Sequence, residues 1–161
     1  MEDIGGLAEY IAGLGPREKA VRRAAFLALR TGRPAALTEL SWETGLPPAE
    51  VRAAARVLSD KGLAVCTANE DAIIGAGGLS LRETCHRLRL EGVDLYTWCA
   101  ADAVGIPAAL AADAVIASAC HTCGEPVTLI MDKGKIAASQ PPDTRVWVVE
   151  ADTSLPVSGH T

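Results

Sequence analysis

The chain has 161 residues, 49% of them apolar but only 4% aromatic, with a formal net charge of −5. That length allows one substantial core, which must be built from Ala, Leu, Val and Ile. Residues 1–64 carry nine Lys and Arg against eight Asp and Glu, and residues 65–161 six against twelve, a balance that argues against tight nonspecific binding to nucleic acid. No run approaches the roughly 20 apolar residues a membrane helix needs, and the acidic start Met1-Glu2-Asp3 lacks the basic region of a signal peptide. A cytoplasmic protein with no membrane partner is therefore expected. Five cysteines in that setting read as reduced thiols, suited to metal binding or catalysis rather than to a disulfide framework.

Residues 4–14 read as a short apolar helix ended by Gly13, Gly15 and Pro16. Residues 17–30 place Ala20, Val21, Ala24, Leu27 and Ala28 on one stripe, the pattern of an amphipathic helix. Thr38 opens a second helix that runs to Gly45. Pro48 or Ala49 opens a third, with Val51, Ala54, Ala55, Val57 and Leu58 inward, which ends at Lys61 and Gly62. A strand at residues 63–66, a tip at 67–71 and a return at Ile73 and Ile74 complete a winged-helix-like pattern. Arg52, Arg56 and Lys61 on the third helix would suit DNA, but Glu70 and Asp71 in the wing oppose it, so DNA is not an expected partner.

Gly75, Gly77 and Gly78 read as a flexible joint, dividing a winged-helix-like domain at residues 1–76 from a second domain at 77–161. Residues 79–84 and 87–90 alternate as half-buried strands do. A Glu91-Gly92 turn then leads into a helix that Asp94 would cap. Gly105 and Pro107 end or kink that helix, and residues 108–112 add a helical turn. Strands are expected at 114–119, 127–131 and 145–150, with turns at Lys133-Gly134 and at residues 141–143. The fold class is α+β: a three-helix winged-helix-like unit followed by a mixed or antiparallel sheet with the site-bearing helix packed on it.

The most chemical stretch is Tyr96-Thr97-Trp98-Cys99-Ala100-Ala101-Asp102. On a helix Cys99 and Asp102 would share a face, placing a soft nucleophile beside a proton donor or acceptor, and the helix dipole would modestly favour the thiolate. The plainer alternative is a small core cysteine. A second group, Cys120-His121-Thr122-Cys123, follows a strand; C-x-x-C suits zinc, copper or redox chemistry but supplies two of the four donors that structural zinc wants. Cys66 and Cys85 read as packing residues.

Residues 78–84, 95–102, Pro107-Ala108, 118–120 and 124–129 together resemble the alkylmercury (organomercurial) lyase family, most specifically at Tyr96–Asp102. The resemblance implies protonolysis of a carbon–mercury bond, giving a hydrocarbon and thiol-bound Hg(II), with no cofactor required. It also implies a winged-helix-like N-terminal domain not used for DNA. The first family cysteine falls on Cys99 and the family aspartate on Asp102, as catalytic residues. Thiolate is the soft ligand mercury prefers, and a neighbouring carboxyl can take the thiol proton and pass a proton to the departing carbon. Cys99, Cys120 and Cys123 are the expected metal ligands, with zinc or copper a further expectation at Cys120 and Cys123. Cys120 matches a family cysteine regarded as structural, whereas Cys123 departs from the family pattern. Residues 157–161 resemble the lead-in to a second catalytic cysteine, so the sequence is expected to be a fragment. Expected partners are an organomercurial and either low-molecular-weight thiols or a mercuric-reductase-type acceptor. Two readings from other classes stand beside the lyase: a soft-metal binding or sensing protein without turnover, and a winged-helix regulator.

Overall fold

The computed structural model describes residues 13–146. The expected helix at 4–14 and the strand at 145–150 therefore lie almost wholly outside the described residues, as does the segment 157–161. Within them the chain forms four helices and nine strands: an α+β fold around one large antiparallel sheet.

Helix α1, Pro16–Leu29, begins with proline at its first turn, where the missing N–H costs nothing. Its buried stripe is Val21, Ala25 and Leu29, at i, i+4 and i+8; Leu27, expected inward, is 49% exposed. The two-residue strand β1, Ala35–Ala36, leads into α2, Leu37–Thr44, which Gly45 ends in the left-handed conformation. Helix α3, Pro48–Asp60, buries Val51, Ala54, Ala55 and Leu58, while Val57 faces outward. The three helices pack on one another around Leu29, Leu40 and Leu58.

Strands β2, Ala64–Cys66, and β3, Ala72–Ala76, form a hairpin whose tip is tied by Thr67, Asn69 and Asp71. Arg56 of α3 pairs with Glu70 of that tip at 3.1 Å, and Arg52 donates to the Glu70 carbonyl. Arg52 and Arg56 of the third helix are thus turned onto the acidic tip.

Gly77 and Gly78, expected as a flexible joint, are instead the two-residue turn of a tight hairpin, with Ala76 paired to Leu79 of β4, Leu79–Ser80. Both have positive φ, +63° and +87°, which a type I′ hairpin turn requires and which glycine adopts freely. The sheet consequently runs on without a break: β1 and β2 pair with β3, and the order continues β3, β4, β6, β5, β7, β8, β9.

Strands β5, Arg87–Leu90, and β6, Val93–Thr97, pair through the Glu91-Gly92 turn. Strand β6 occupies residues expected to open a helix. In Val93-Asp94-Leu95-Tyr96-Thr97, Leu95 and Thr97 point into the core on alternate positions, and β-branched or aromatic residues fill out the pleat. Asp94 is a strand residue paired in register with Arg89, not a helix cap. Helix α4, Ala100–Leu110, continues through Gly105 and Pro107; the expected break and separate turn are one helix, with Ala103, Ile106 and Pro107 buried. Strands β7, Ala114–Ala119, and β8, Pro126–Asp132, follow. Strand β9, Lys135–Gln140, lies in a stretch expected only to connect. It is the sheet's edge, mostly exposed, so no strong apolar alternation marks it in the sequence.

Candidate functional site

Cys99 sits where β6 becomes α4. Trp98 is buried, its backbone N–H donates to the Gly78 carbonyl at 3.0 Å, and its indole lies close over Gly75 of β3. That tether fixes the end of the strand, and Cys99 in extended backbone (φ −148°) is the N-cap of α4. Its sulfur accepts from the Asp102 N–H at 3.4 Å, taking the place the hydroxyl of a capping serine would fill. In return the Cys99 thiol donates to Asp102 Oδ2 at 3.1 Å. The expected pair is therefore in contact, but through cap geometry rather than a shared helix face.

The chemistry follows from the surroundings. Burial, with the Asp102 charge adding to it, pushes the Cys99 thiol up to about 11, against the expectation that the helix start would favour thiolate. The amide donors of Asp102 and Ala101 favour thiolate but are outweighed. Burial likewise raises the Asp102 carboxyl, opposed by the hydrogen bonds from Cys99 and by the charges of Arg22 and His86. Burial thus holds the proton on the Cys99 sulfur, with Asp102 Oδ2 the acceptor beside it.

Three further residues stand at the site: the sequence marks Gly78 only as part of a joint and gives Arg22 and His86 no role there. Arg22 reaches the site from α1; its guanidinium lies near Gly77, and its Nε is buried without a hydrogen-bond partner among the described residues. His86, which burial holds below the usual imidazole value, packs its Nδ1 2.6 Å from Ser118 Oγ. Gly78 abuts Asp102 so closely that a Cβ there would stand 2.5 Å from Oδ1. The only sequence signal for these three is the Gly-Gly pair, because proximity between α1 and α4 is not written in any local spacing.

Cys120 ends β7. Its N–H donates to the Glu125 carbonyl and its own carbonyl accepts from Gly124, both at 2.8 Å, closing the loop that carries Cys123. The backbone N–H groups of Cys123 and Thr122 and the Cys123 thiol point toward the Cys120 sulfur and lower its pKa. Cys123 and His121 are exposed. Among the described residues no group of three or more His, Cys, Asp and Glu side chains is gathered to hold a metal, so Cys99, Cys120 and Cys123 do not form one cluster. Zinc does not fit the Cys120–Cys123 pair, which offers two of the four donors a structural site wants.

A model of the alkylmercury lyase family matches residues 79–159, half of the chain and all of the segment from β4 through α4. The chain belongs to the alkylmercury lyase family. Alkylmercury lyase of Streptomyces lividans is 32% identical over 124 residues, covering 77% of this chain and 55% of that protein. Alkylmercury lyase of Pseudomonas putida is 39% identical over 82 residues, covering 51% of this chain and 38% of its own length. The mercury-bound form of MerB2, a solved structure, superposes with a TM-score of 0.86 at 30% identity, over 94% of this chain and 73% of that one. The chain thus spans about half the length of the curated relatives it matches. No described helix is long and apolar enough to cross a membrane.

Proposed function

We propose that this protein cleaves the carbon–mercury bond of an organomercurial by protonolysis, with Cys99 binding mercury and Asp102 shuttling the proton. The observation that carries the reading is the 3.1 Å contact between the Cys99 thiol and Asp102 Oδ2 at a half-buried helix start. On substrate binding the Cys99 S–H proton passes to Asp102 and an S–Hg bond forms. The carboxylic acid then gives that proton to the carbon, the C–Hg electron pair becomes the new C–H bond, and Hg(II) stays on sulfur. Burial suits both steps, because a proton held tightly on sulfur is released only to a metal that replaces it. A second thiolate, which the family resemblance sets after residues 157–161, makes the departing carbon more basic. Hg(II) is product here, and no cofactor is invoked.

In this reading the unit at 1–76 is winged-helix-like and supports the catalytic unit at 77–161. The Arg52 and Arg56 contacts to the acidic tip argue against its use on DNA. Low-molecular-weight thiols or a mercuric-reductase-type acceptor would remove Hg(II), in the cytoplasm. The test is methane release from methylmercury with excess thiol. Wild-type protein should release methane while Cys99→Ala and Asp102→Asn lose at least a hundredfold in rate. No release from intact protein, with Cys99→Ala behaving identically, would overturn the reading.

A further inference from the structure

Arg22 brings a charge to the reactive pair that nothing among the described residues pairs. It is half-buried, its buried Nε lacks a hydrogen-bond partner, and the ion pairs of the described residues do not include it. A buried donor left unpaired is costly, and more so in a charged group, so the arrangement calls for an acceptor. We propose that Arg22 is the anion-binding residue of a substrate subsite that selects organomercurials whose organic group is an aryl carboxylate. The β3–β4 turn fixes where that subsite lies. A Cβ on Gly77 would stand 3.7 Å from Arg22 Nη2 and 2.9 Å from the Phe26 ring, and one on the next residue, Gly78, would stand 2.5 Å from Asp102 Oδ1. The guanidinium, the ring and the carboxyl therefore flank one two-residue turn, whose glycines carry no side chain to separate them. Cys99, whose thiol is 3.1 Å from Asp102 Oδ2, stands on the Asp102 side of that turn. An organic group on its mercury that reaches the guanidinium lies along the turn. Asp102 is not the acceptor that Arg22 lacks: it takes a hydrogen bond from the Cys99 thiol, which leaves it to move a proton and leaves the guanidinium open. Nε and Nη2 form one edge of the guanidinium, the edge that meets a carboxylate through two parallel hydrogen bonds. Phe26 supplies an apolar ring for an arene to pack on.

This selectivity deepens the lyase reading and rests on it for turnover, but binding does not. The test compares 4-(hydroxymercuri)benzoate with phenylmercury in excess thiol, where the two substrates differ by the carboxylate alone. The full chain should cleave the benzoate with a kcat/KM roughly tenfold higher, the difference lying in KM. Arg22→Met should bring the ratio of the two substrates close to one, and Arg22→Lys, which keeps the charge without the fork, should give an intermediate ratio. Because the ratio is taken within one variant, any loss of folded protein cancels. A wild-type ratio near one, or an unchanged ratio in Arg22→Met, would overturn the proposal. Binding is read separately in the Asp102→Asn chain, which cannot return the proton. There the glutathione needed to displace the mercurial from Cys99 should be roughly tenfold higher for the benzoate than for phenylmercury, and equal for the two once Arg22→Met is added. The Cys99 adduct is the part missing from the same chain carrying Cys99→Ser. Equal displacement in Asp102→Asn itself would overturn the subsite. Selective retention with no release of benzoate or benzene by wild-type protein would sink the lyase reading and leave the subsite standing.

Discussion

A thiol held at about 11 is a poor nucleophile at neutral pH, with a thiolate fraction roughly a hundredfold below that of an ordinary cysteine. Cys99 should accordingly resist iodoacetamide at pH 7, and its labelling rate should climb about tenfold per pH unit to near pH 10, read by peptide mass spectrometry. A rate already level at pH 8 would contradict the buried, carboxylate-facing environment. The sign for stability runs the same way at both groups. Cys99 and Asp102 both have raised folded pKa values, so the folded state holds their protons more tightly than the unfolded chain. The stability this supplies is complete below each unfolded value, about 3.8 for Asp102, and is lost as pH rises through the raised folded one. Burial therefore disfavours the ionised form of Asp102 in the folded protein. Asp102→Asn should not lower the melting temperature at pH 7, and should lose activity, the trade expected where a site is strained for its chemistry. A melting temperature several degrees lower would show that the carboxylate is mainly structural.

At the scale of elements, the site is made by a change of element at one residue. Strand β6 ends at Thr97, the buried Trp98 anchors the chain to Gly78, and Cys99 opens α4 as its cap. The β3–β4 turn is therefore part of the site's wall. Gly78→Ala would place a Cβ 2.5–3.0 Å from three Asp102 atoms at a φ of +87°, so it should cost on the order of 1–3 kcal/mol and displace the carboxyl. Unfolding in urea together with methane release would show both losses; wild-type values for both would refute the close packing. Helix α4 is locally weak, holding Gly105 and Pro107 in its interior. Gly105 is exposed, and an added Cβ would meet open space, so Gly105→Ala should stabilise the protein by roughly 1 kcal/mol without touching the site. A fall in urea midpoint would mean that the helix is held there by something other than propensity.

For the whole molecule, the unbroken sheet decides what faces Asp102. Because β3 and β4 are one hairpin and α1 packs across both, Arg22 is brought beside a carboxyl eighty residues further along the chain. Its charge opposes the burial that would otherwise neutralise Asp102. Arg22→Met, which keeps much of the apolar stem, should lower the protonolysis rate about tenfold with the far-ultraviolet spectrum unchanged, and Arg22→Lys should recover most of it. Equal losses in both variants would mark a packing role only.

Much of this was legible in the residues. The helices at 16–29 and 48–60 are announced by proline at their starts, all three helices at 16–29, 37–44 and 48–60 by glycine near their ends and apolar spacing between, and β5 and β7 by simple alternation. Cys99 and Asp102 were legible as a pair because their spacing is three in a cap as in a helix. What remained hidden was whatever depends on neighbours distant in sequence. Residues 93–97 became a strand because β5 and β4 flank them, and Gly105 and Pro107 stayed helical because Ala103 and Ile106 are buried against the sheet. Local spacing alone set the Cys99 thiol and the Asp102 carboxyl within reach of one another. Tertiary packing decided which way its proton lies, because desolvation and the charges of Arg22 and His86 act through space rather than along the chain.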